Sequence, residues 1–383
     1  MDVATAWAWT VERCPGRRAV GGPHPLTYAE WDARTARLGR ALVALGVRRG
    51  DRVALVLAGG EPAASLHLAV QRIGAVAVPL SSRFGAEELA YCLADSAPAV
   101  VVFDRWTGER IASAVADPRV RPLVHLDVDD LDRRAADEAD SLPEAPGPTD
   151  GDVSVMLYTS GTTGRPKGVP RTHRAEHASS VAHLLQTGGR PGDAVLGVMP
   201  LFHTMGLRTL VAAVVSGGTW VPQPRFDAEE AAELLATERI SSLYLVPTMY
   251  WSLLRESDPA RLRSVRRLAY AGAAMAPALA EQLVESVAPE SFVNHFGSTE
   301  IYTFTVGPDV AAKPGCAGRA GVFSRVRLVE PTPDATADDM VGKHEQGPSS
   351  PCPARRHSAA TGSGRTRRRS RSATGGTSPG TSP

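Results

Sequence analysis

Twelve consecutive residues, Tyr158–Val169 (YTSGTTGRPKGV), have the types and spacing to hold phosphate. Glycines at 161, 164 and 168 allow positive φ and let main-chain N–H groups turn inward. Thr159, Ser160, Thr162 and Thr163 add hydroxyl donors, and Lys167 adds a cation that can reach phosphate oxygens. The apolar run VSVMLY (153–158) precedes the loop and reads as a strand. The end of such a strand is where an open α/β sheet binds ligands. The stretch is neither a Walker A loop, since Pro166 stands five residues after Gly161, nor GxGxxG. A Gly/Thr stretch taken alone reads as a flexible surface loop, but twelve residues in this order argue against that.

Three later stretches carry further candidates. VMPLFHTMG (198–206) holds His203, which in isolation reads as a loop or core histidine. YAGAAMAP (270–277) is a run of small residues, among which main chain can lie flat against a ring. NHFGSTEIYTF (294–304) offers an aromatic face at Phe296, a hydroxyl at Thr299 and a carboxylate at Glu300. One carboxylate plus nucleotide phosphates is ordinary Mg²⁺ chemistry. The same residues also read as a helix N-terminus, with Ser298 or Thr299 as cap and Glu300 in the first turn, and the two readings are compatible.

These residues need elements to position them. Residues 27–57 begin as an amphipathic helix, with Leu38, Leu42 and Leu45 on one face and a stop at Gly46. The run VALVL then reads as a buried strand. Residues 62–75 repeat the pattern as a helix ending near Gly74, followed by the strand VAVPL. A helix at 87–93 and the strand AVVVF (99–103) follow. Residues 127–151, acidic and rich in Pro and Ala, read as a surface linker. Beyond the glycine loop, strands are expected at 193–200, 219–224, 241–247 and 267–272. Helices are expected at 173–187, 204–216, 227–237, 248–256 and 277–288. Such alternation specifies an α/β protein of two parallel-sheet subdomains. SRVRLVE (324–330) alternates as a half-exposed strand that could open a third, antiparallel unit.

Composition sets the class. The 383 residues are 43% hydrophobic and 22% charged, enough for a sizeable core. No run of 18 apolar residues suggests a membrane span, and no secretory leader is evident. Cys14, Cys92, Cys316 and Cys352 are widely separated, which points to a reducing, cytoplasmic setting without a zinc site. The net charge of +1 conceals an asymmetry. Residues 346–383 hold seven Arg and no acid, so the rest of the chain is net acidic. They also lack Val, Ile, Leu, Met, Phe, Trp and Tyr, and disorder is the expectation there.

Taken together and in this order, the motifs resemble the AMP-forming acyl/aryl-CoA synthetases, luciferases and peptide-synthetase adenylation domains. YTSGTTGRPKG is similar to their signature loop. The likeness covers about residues 10–345, including TYAEWDARTARLGRALVALGVRRGDRVAL and GAVAVPLSSRFGAEELAYCLADSAPAVVV. Around VLGVMPLFHTMG, FGSTE and GVFSRVRLVE the pattern looks closest to benzoate-type and chlorobenzoate-type CoA ligases. The resemblance implies ATP, Mg²⁺ and CoA, with a small aryl or short-chain carboxylic acid as substrate and no nucleic acid. It implies activation of the acid to acyl-AMP, then thioester formation with CoA, by positioning and electrostatics rather than a protein nucleophile.

It also implies residue roles. Thr159, Lys167, His203, Thr299 and Glu300 would be catalytic, with Glu300 the metal carboxylate. Thr159–Gly164, Lys167, Gly272, Ala273, Ala274 and Phe296–Glu300 would hold the nucleotide, with Phe296 stacked on adenine. His203, Thr204, Met205, Ala273 and Ile301 would line a compact, mostly apolar acid pocket, with Tyr250 and Tyr302 nearby.

The family continues with a Tyr-x-Thr-Gly-Asp motif, an Arg and a small C-terminal domain bearing a Lys. These have no counterpart among the 383 residues. Codons for TGGTSPGTSP (374–383), read one nucleotide earlier, can spell Asp-Gly-Trp-Tyr-Phe-Thr-Gly-Asp-Val-Ala. The expectation is an incomplete adenylation large domain over 1–345 and an out-of-frame tail over 346–383. The rival reading of the tail is a basic RNA-binding arm. Impaired activity is expected, with a non-catalytic nucleotide- or acid-binding remnant as the alternative.

Overall fold

A computed structural model describes residues 1–326, apart from 122, 144–145 and 160–164. Met1–Val326 forms one compact unit. It contains two sheets, as the alternation of helices and strands requires, and the α/β class holds.

The smaller sheet has the strand order Val124–Asp127, Val100–Phe103, Arg52–Val56, Val76–Pro79, Val153–Thr159, Lys167–Thr172. Every neighbouring pair is parallel except the last. The continuous apolar runs follow from burial on both faces. Val53 and Leu55 point into one core with helices Tyr28–Ala44 and Gly60–Arg72, whereas Ala54 and Val56 point into another with helix Ala86–Ser96. Thr27 caps the first of these helices, accepting from Glu30 N while the Glu30 carboxylate accepts from Thr27 N over 2.8 Å. This reciprocal pair satisfies two N–H groups that would otherwise be orphaned. Gly46 ends the helix with a φ of 96°.

The larger sheet has nine strands. Its central run is Ser291–Phe296, Arg267–Tyr270, Ser242–Leu245, Ala194–Gly197, Thr219–Pro222 and Arg18–Val20, all parallel. Antiparallel strands Thr305–Gly307 and Arg319–Ala320 extend one side, and Leu26–Thr27 the other. The first residues of the chain therefore complete the second sheet, which local periodicity does not show.

Three expectations change. Residues 128–136 are not linker but a helix, capped by the Asp127 side chain at 2.8 Å from Asp130 N. Leu131 and Ala135, four apart, are buried beneath an otherwise charged surface. Arg34–Asp132 and Arg40–Glu138 ion pairs hold the segment to helix Tyr28–Ala44. The motif 294–304 does not start a helix either. Strand Ser291–Phe296 enters a turn and returns antiparallel at Thr305–Gly307, pairing Phe296 with Thr305. Residues 324–326 are not strand, while 327–330 and the 346–383 tail lie outside the described residues.

Candidate active site

The glycine/threonine stretch sits at the tip of a β-hairpin. Val153–Thr159 and Lys167–Thr172 pair antiparallel, and Thr159 faces Lys167 across the last rung. Ser160, Gly161, Thr162, Thr163 and Gly164 lie outside the described residues. Thr159 is half-buried and Lys167 exposed. Gly168 does not take positive φ, contrary to the expectation for it. Its lack of a side chain serves close packing, because a Cβ there would lie 3.0 Å from Met156 Sδ and 3.3 Å from Tyr158 Cζ. The Tyr158 hydroxyl donates to Asp95 over 2.6 Å, which fixes the strand's end on helix Ala86–Ser96. Burial, then the Asp95 carboxylate, raises its pKa, so the phenol stays protonated.

The second sheet supplies the remaining candidates from one edge. Parallel strands Ala194–Gly197, Ser242–Leu245, Arg267–Tyr270 and Ser291–Phe296 all end there. His203, Gly272–Ala274 and Phe296–Glu300 lie in the segments leaving the first, third and fourth of these strands. Gathering ligand groups beyond the carboxyl ends of parallel strands is the expected use of this architecture.

Around Glu300 the turn is sterically fixed. A Cβ on Gly297 would stand 1.8 Å from the Tyr302 carbonyl oxygen, so only glycine fits there. Tyr302 itself has a φ of 66° and donates its N–H to the Ser298 carbonyl over 2.7 Å. A left-handed tyrosine is strained backbone, held here by its surroundings. Phe296 is 46% exposed, leaving a ring face open at the strand end, and Phe304 packs 5.8 Å away. Ser298 and Thr299 are half-buried, and the side chains of Glu300 and Ile301 are exposed.

His203 stands at the N-cap position of helix Thr204–Ser216 without a side-chain capping bond, and its N–H donates to the Pro200 carbonyl over 3.0 Å. Gly206 lets the helix seat closely, since a Cβ would lie 2.3 Å from Pro200 O. The imidazole is exposed by area yet crowded by the chain around it. That desolvation, aided by the positive charge of Arg83, lowers its pKa and favours the neutral ring. Thr204 is half-buried. Met205 is buried in a small apolar cluster with Met199, Tyr244, Ala269, Val293 and Val306. Gly272, Ala273 and Ala274 are exposed, Gly272 with a φ of 86°.

The two tyrosines expected beside the acid pocket are committed elsewhere. The Tyr250 hydroxyl donates to the Ala269 carbonyl over 2.8 Å inside the second core. The Tyr302 hydroxyl donates to Glu176 over 2.9 Å.

Sequence reasoning missed a buried network that joins the hairpin to the Glu300 turn. Arg171, on the return strand of the hairpin, is 6% exposed. Its Nε donates to Glu176 over 2.5 Å and its Nη1 to the Glu300 carbonyl over 2.6 Å. The guanidinium carbon lies 3.7 Å from the Tyr302 ring centroid. Thus one buried cation ties helix His173–Thr187, the glycine-loop hairpin and the carboxylate-bearing turn together. The only available signal was a charged pair at 171 and 176 spanning a strand–helix junction.

Arg208 was also missed. It is the single charged residue in helix Thr204–Ser216 (TMGLRTLVAAVVS), which is otherwise apolar or small. That isolation was a usable clue.

Comparison with known proteins places the site in context. The family model described as AMP-binding enzyme matches residues 7–345. The feruloyl-CoA synthase of Amycolatopsis sp is 34% identical over 347 residues, covering 85% of this chain and 68% of that protein. The 3-hydroxybenzoate–CoA ligase of Aromatoleum sp. (strain CIB) is 32% identical, covering 85% of this chain and 64% of its own length. The chain therefore spans about two thirds of these relatives. The crystal structure of the N-terminal domain of FACL13 from Mycobacterium tuberculosis superposes with a TM-score of 0.77 at 27% identity. That match covers 84% of this chain and 83% of the domain. With the family model matching residues 7–345 and a relative 34% identical over 85% of the chain, the chain belongs to the AMP-binding enzyme family.

Proposed function

We propose that this chain binds Mg²⁺·ATP and a small carboxylic acid, forms the acyl-AMP with release of pyrophosphate, and passes the acyl group to CoA. The observation that carries the proposal is the Arg171 link, which couples the glycine-loop hairpin to the turn bearing Thr299 and Glu300. The relatives' names, feruloyl-CoA synthase and 3-hydroxybenzoate–CoA ligase, support an aryl acid and CoA.

In this proposal Lys167 and the hydroxyls of the hairpin tip neutralise the phosphates, Phe296 stacks on the base, and Gly272–Ala274 border it. Thr299 donates to the phosphate under attack. His203, neutral at pH 7, orients the acid's carboxylate as a hydrogen-bond donor. The acid oxygen attacks the α-phosphorus, the bond to the pyrophosphate oxygen breaks, and no proton need move. Rate enhancement then comes from alignment and from donors placed where charge grows.

The residues fit Mg²⁺. Among the described residues no group of three or more His, Cys, Asp or Glu could cage a metal. The exposed Glu300 carboxylate makes no ion pair there, so it could share the ion with nucleotide phosphates. The bound ion would neutralise phosphate charge.

Acid-dependent exchange of labelled pyrophosphate into ATP tests the proposal. Exchange above an acid-free control supports it. ATP binding with no acid-dependent exchange contradicts adenylation by this chain.

A further inference from the structure

Arg208 is buried to 2% exposure, and no carboxylate pairs with it among the described residues. Its Nε has no hydrogen-bond partner there, and its Nη1 reaches only the Tyr244 hydroxyl, over 3.5 Å. Glu176, the buried carboxylate that shares Tyr302 as a neighbour, is already taken by Arg171 and the Tyr302 hydroxyl. Buried ions are normally paired, because an isolated one forfeits its hydration without compensation.

The surroundings are polar but supply no negative charge. His183, His295 and Tyr244 pack against one another in tilted and edge-on arrangements, with centroids 4.9–5.3 Å apart. Nδ1 of His183, both ring nitrogens of His295 and the Thr303 hydroxyl lack partners among the described residues. Burial, with the Arg208 charge contributing, holds both imidazoles neutral. Several unsatisfied groups around one uncompensated cation are more than a well-packed core tolerates.

The position matters as much as the charge. Arg208 lies five residues into the helix that starts after His203, or about 7–8 Å along its axis. Its guanidinium approaches Tyr302, two residues beyond Glu300, at 5.1 Å from the ring centroid. It thus lies below the edge from which His203 and Thr299 are presented.

We infer that Arg208 marks the floor of the acid site and that the acid this chain takes is a short aliphatic or aromatic dicarboxylic acid, whose distal carboxylate pairs with the guanidinium. This rests on the proposed acid site and narrows its substrate class. It replaces the expectation of a mostly apolar pocket. A distal carboxylate supplies the missing counter-charge and two acceptors that match the planar guanidinium fork.

Calorimetric titration of the full chain with paired probes tests the inference. The pairs are benzoate against terephthalate and propionate against succinate. The dicarboxylate of at least one pair should bind at least about tenfold more tightly, the scale of one charge-assisted contact. Arg208→Met should abolish the preference, and Arg208→Lys should retain part of it. Equal or tighter binding of both monocarboxylates, no acid binding at all, or a preference unchanged in Arg208→Met would overturn the inference. Should Arg208→Met fail to fold, the wild-type preference and Arg208→Lys still decide. Mg²⁺·ATP titration of the same samples reports separately on the nucleotide site. Its failure would sink the proposed function, and acid selectivity would remain a distinct result.

Discussion

The side chain of Arg171 donates a hydrogen bond to the main-chain carbonyl of Glu300 over 2.6 Å, linking residues 129 positions apart. Arg171 belongs to the hairpin that carries the glycine loop, and Glu300 to the turn of the other sheet. The bond acts on main chain, so it fixes where the turn stands and leaves the Glu300 carboxylate free for a ligand.

Removing Arg171 should cost stability and loosen the site. Arg171→Met leaves the 3%-exposed Glu176 as an uncompensated buried charge, and a loss of about 3–5 kcal/mol is expected. Adding Glu176→Gln should recover part of it, so the double mutant falls short of the sum of the singles. Urea unfolding of the four proteins checks this. Additive losses would show that the pair is not coupled.

Tyr302→Phe removes one donor from Glu176 and leaves the ring in place. The expected cost is about 1–3 kcal/mol, the penalty for an unmet acceptor in a buried site. Urea midpoints compared with wild type measure it, and an unchanged midpoint would mean that water replaces the hydroxyl.

Gly297→Ala should damage the site more than its size suggests. The new methyl would meet Tyr302 O at 1.8 Å, so the Thr299–Glu300 turn must move. Gly16→Ala is the control, because neither glycine has a positive φ and nothing lies within 4 Å of a Cβ at 16. Nucleotide affinity should fall sharply for Gly297→Ala only. Equal effects would show that the clash with Tyr302 is not what damages the site.

Stability should fall on mild acidification. Burial lowers the pKa of His67 and of His183 to about 3 from the ordinary 6.5. Between those values the unfolded chain binds more protons than the folded one, so stability present above pH 6.5 is lost as pH falls toward 3. From pH 6.5 to 5 each such ring removes about 2 kcal/mol. Thermal scans from pH 7.5 to 5 measure it, and His67→Gln should flatten the curve. A melting temperature constant over that range would contradict the burial of these rings.

Much of the fold was legible where local chemistry is decisive. Helices His173–Thr187 and Thr204–Ser216 match the expected bounds because Gly188 and Gly217 end them in left-handed backbone. Strand Arg18–Val20 was not legible, since its partner Thr219–Pro222 is two hundred residues away and no periodicity encodes that pairing. Helix Val128–Ala136 was hidden because only Leu131 and Ala135 are buried, too few to set a clear period in a charged stretch. At the site, the glycine loop and the FGSTE stretch stood out because turns and ligands demand particular residues. Arg171 and Glu176 did not, because a buried charge is recognised by what surrounds it, and those neighbours come from distant segments; Arg208 left only its isolation in an apolar helix as a trace.

The most direct test of the account is calorimetric titration of the chain with ATP, with and without Mg²⁺, for wild type, Lys167→Ala and Glu300→Ala. The account predicts saturable ATP binding strengthened by Mg²⁺. Lys167→Ala should weaken it under both conditions, and Glu300→Ala should remove the Mg²⁺ enhancement while sparing metal-free binding. Absence of ATP binding, or Mg²⁺ enhancement undiminished in Glu300→Ala, would contradict it.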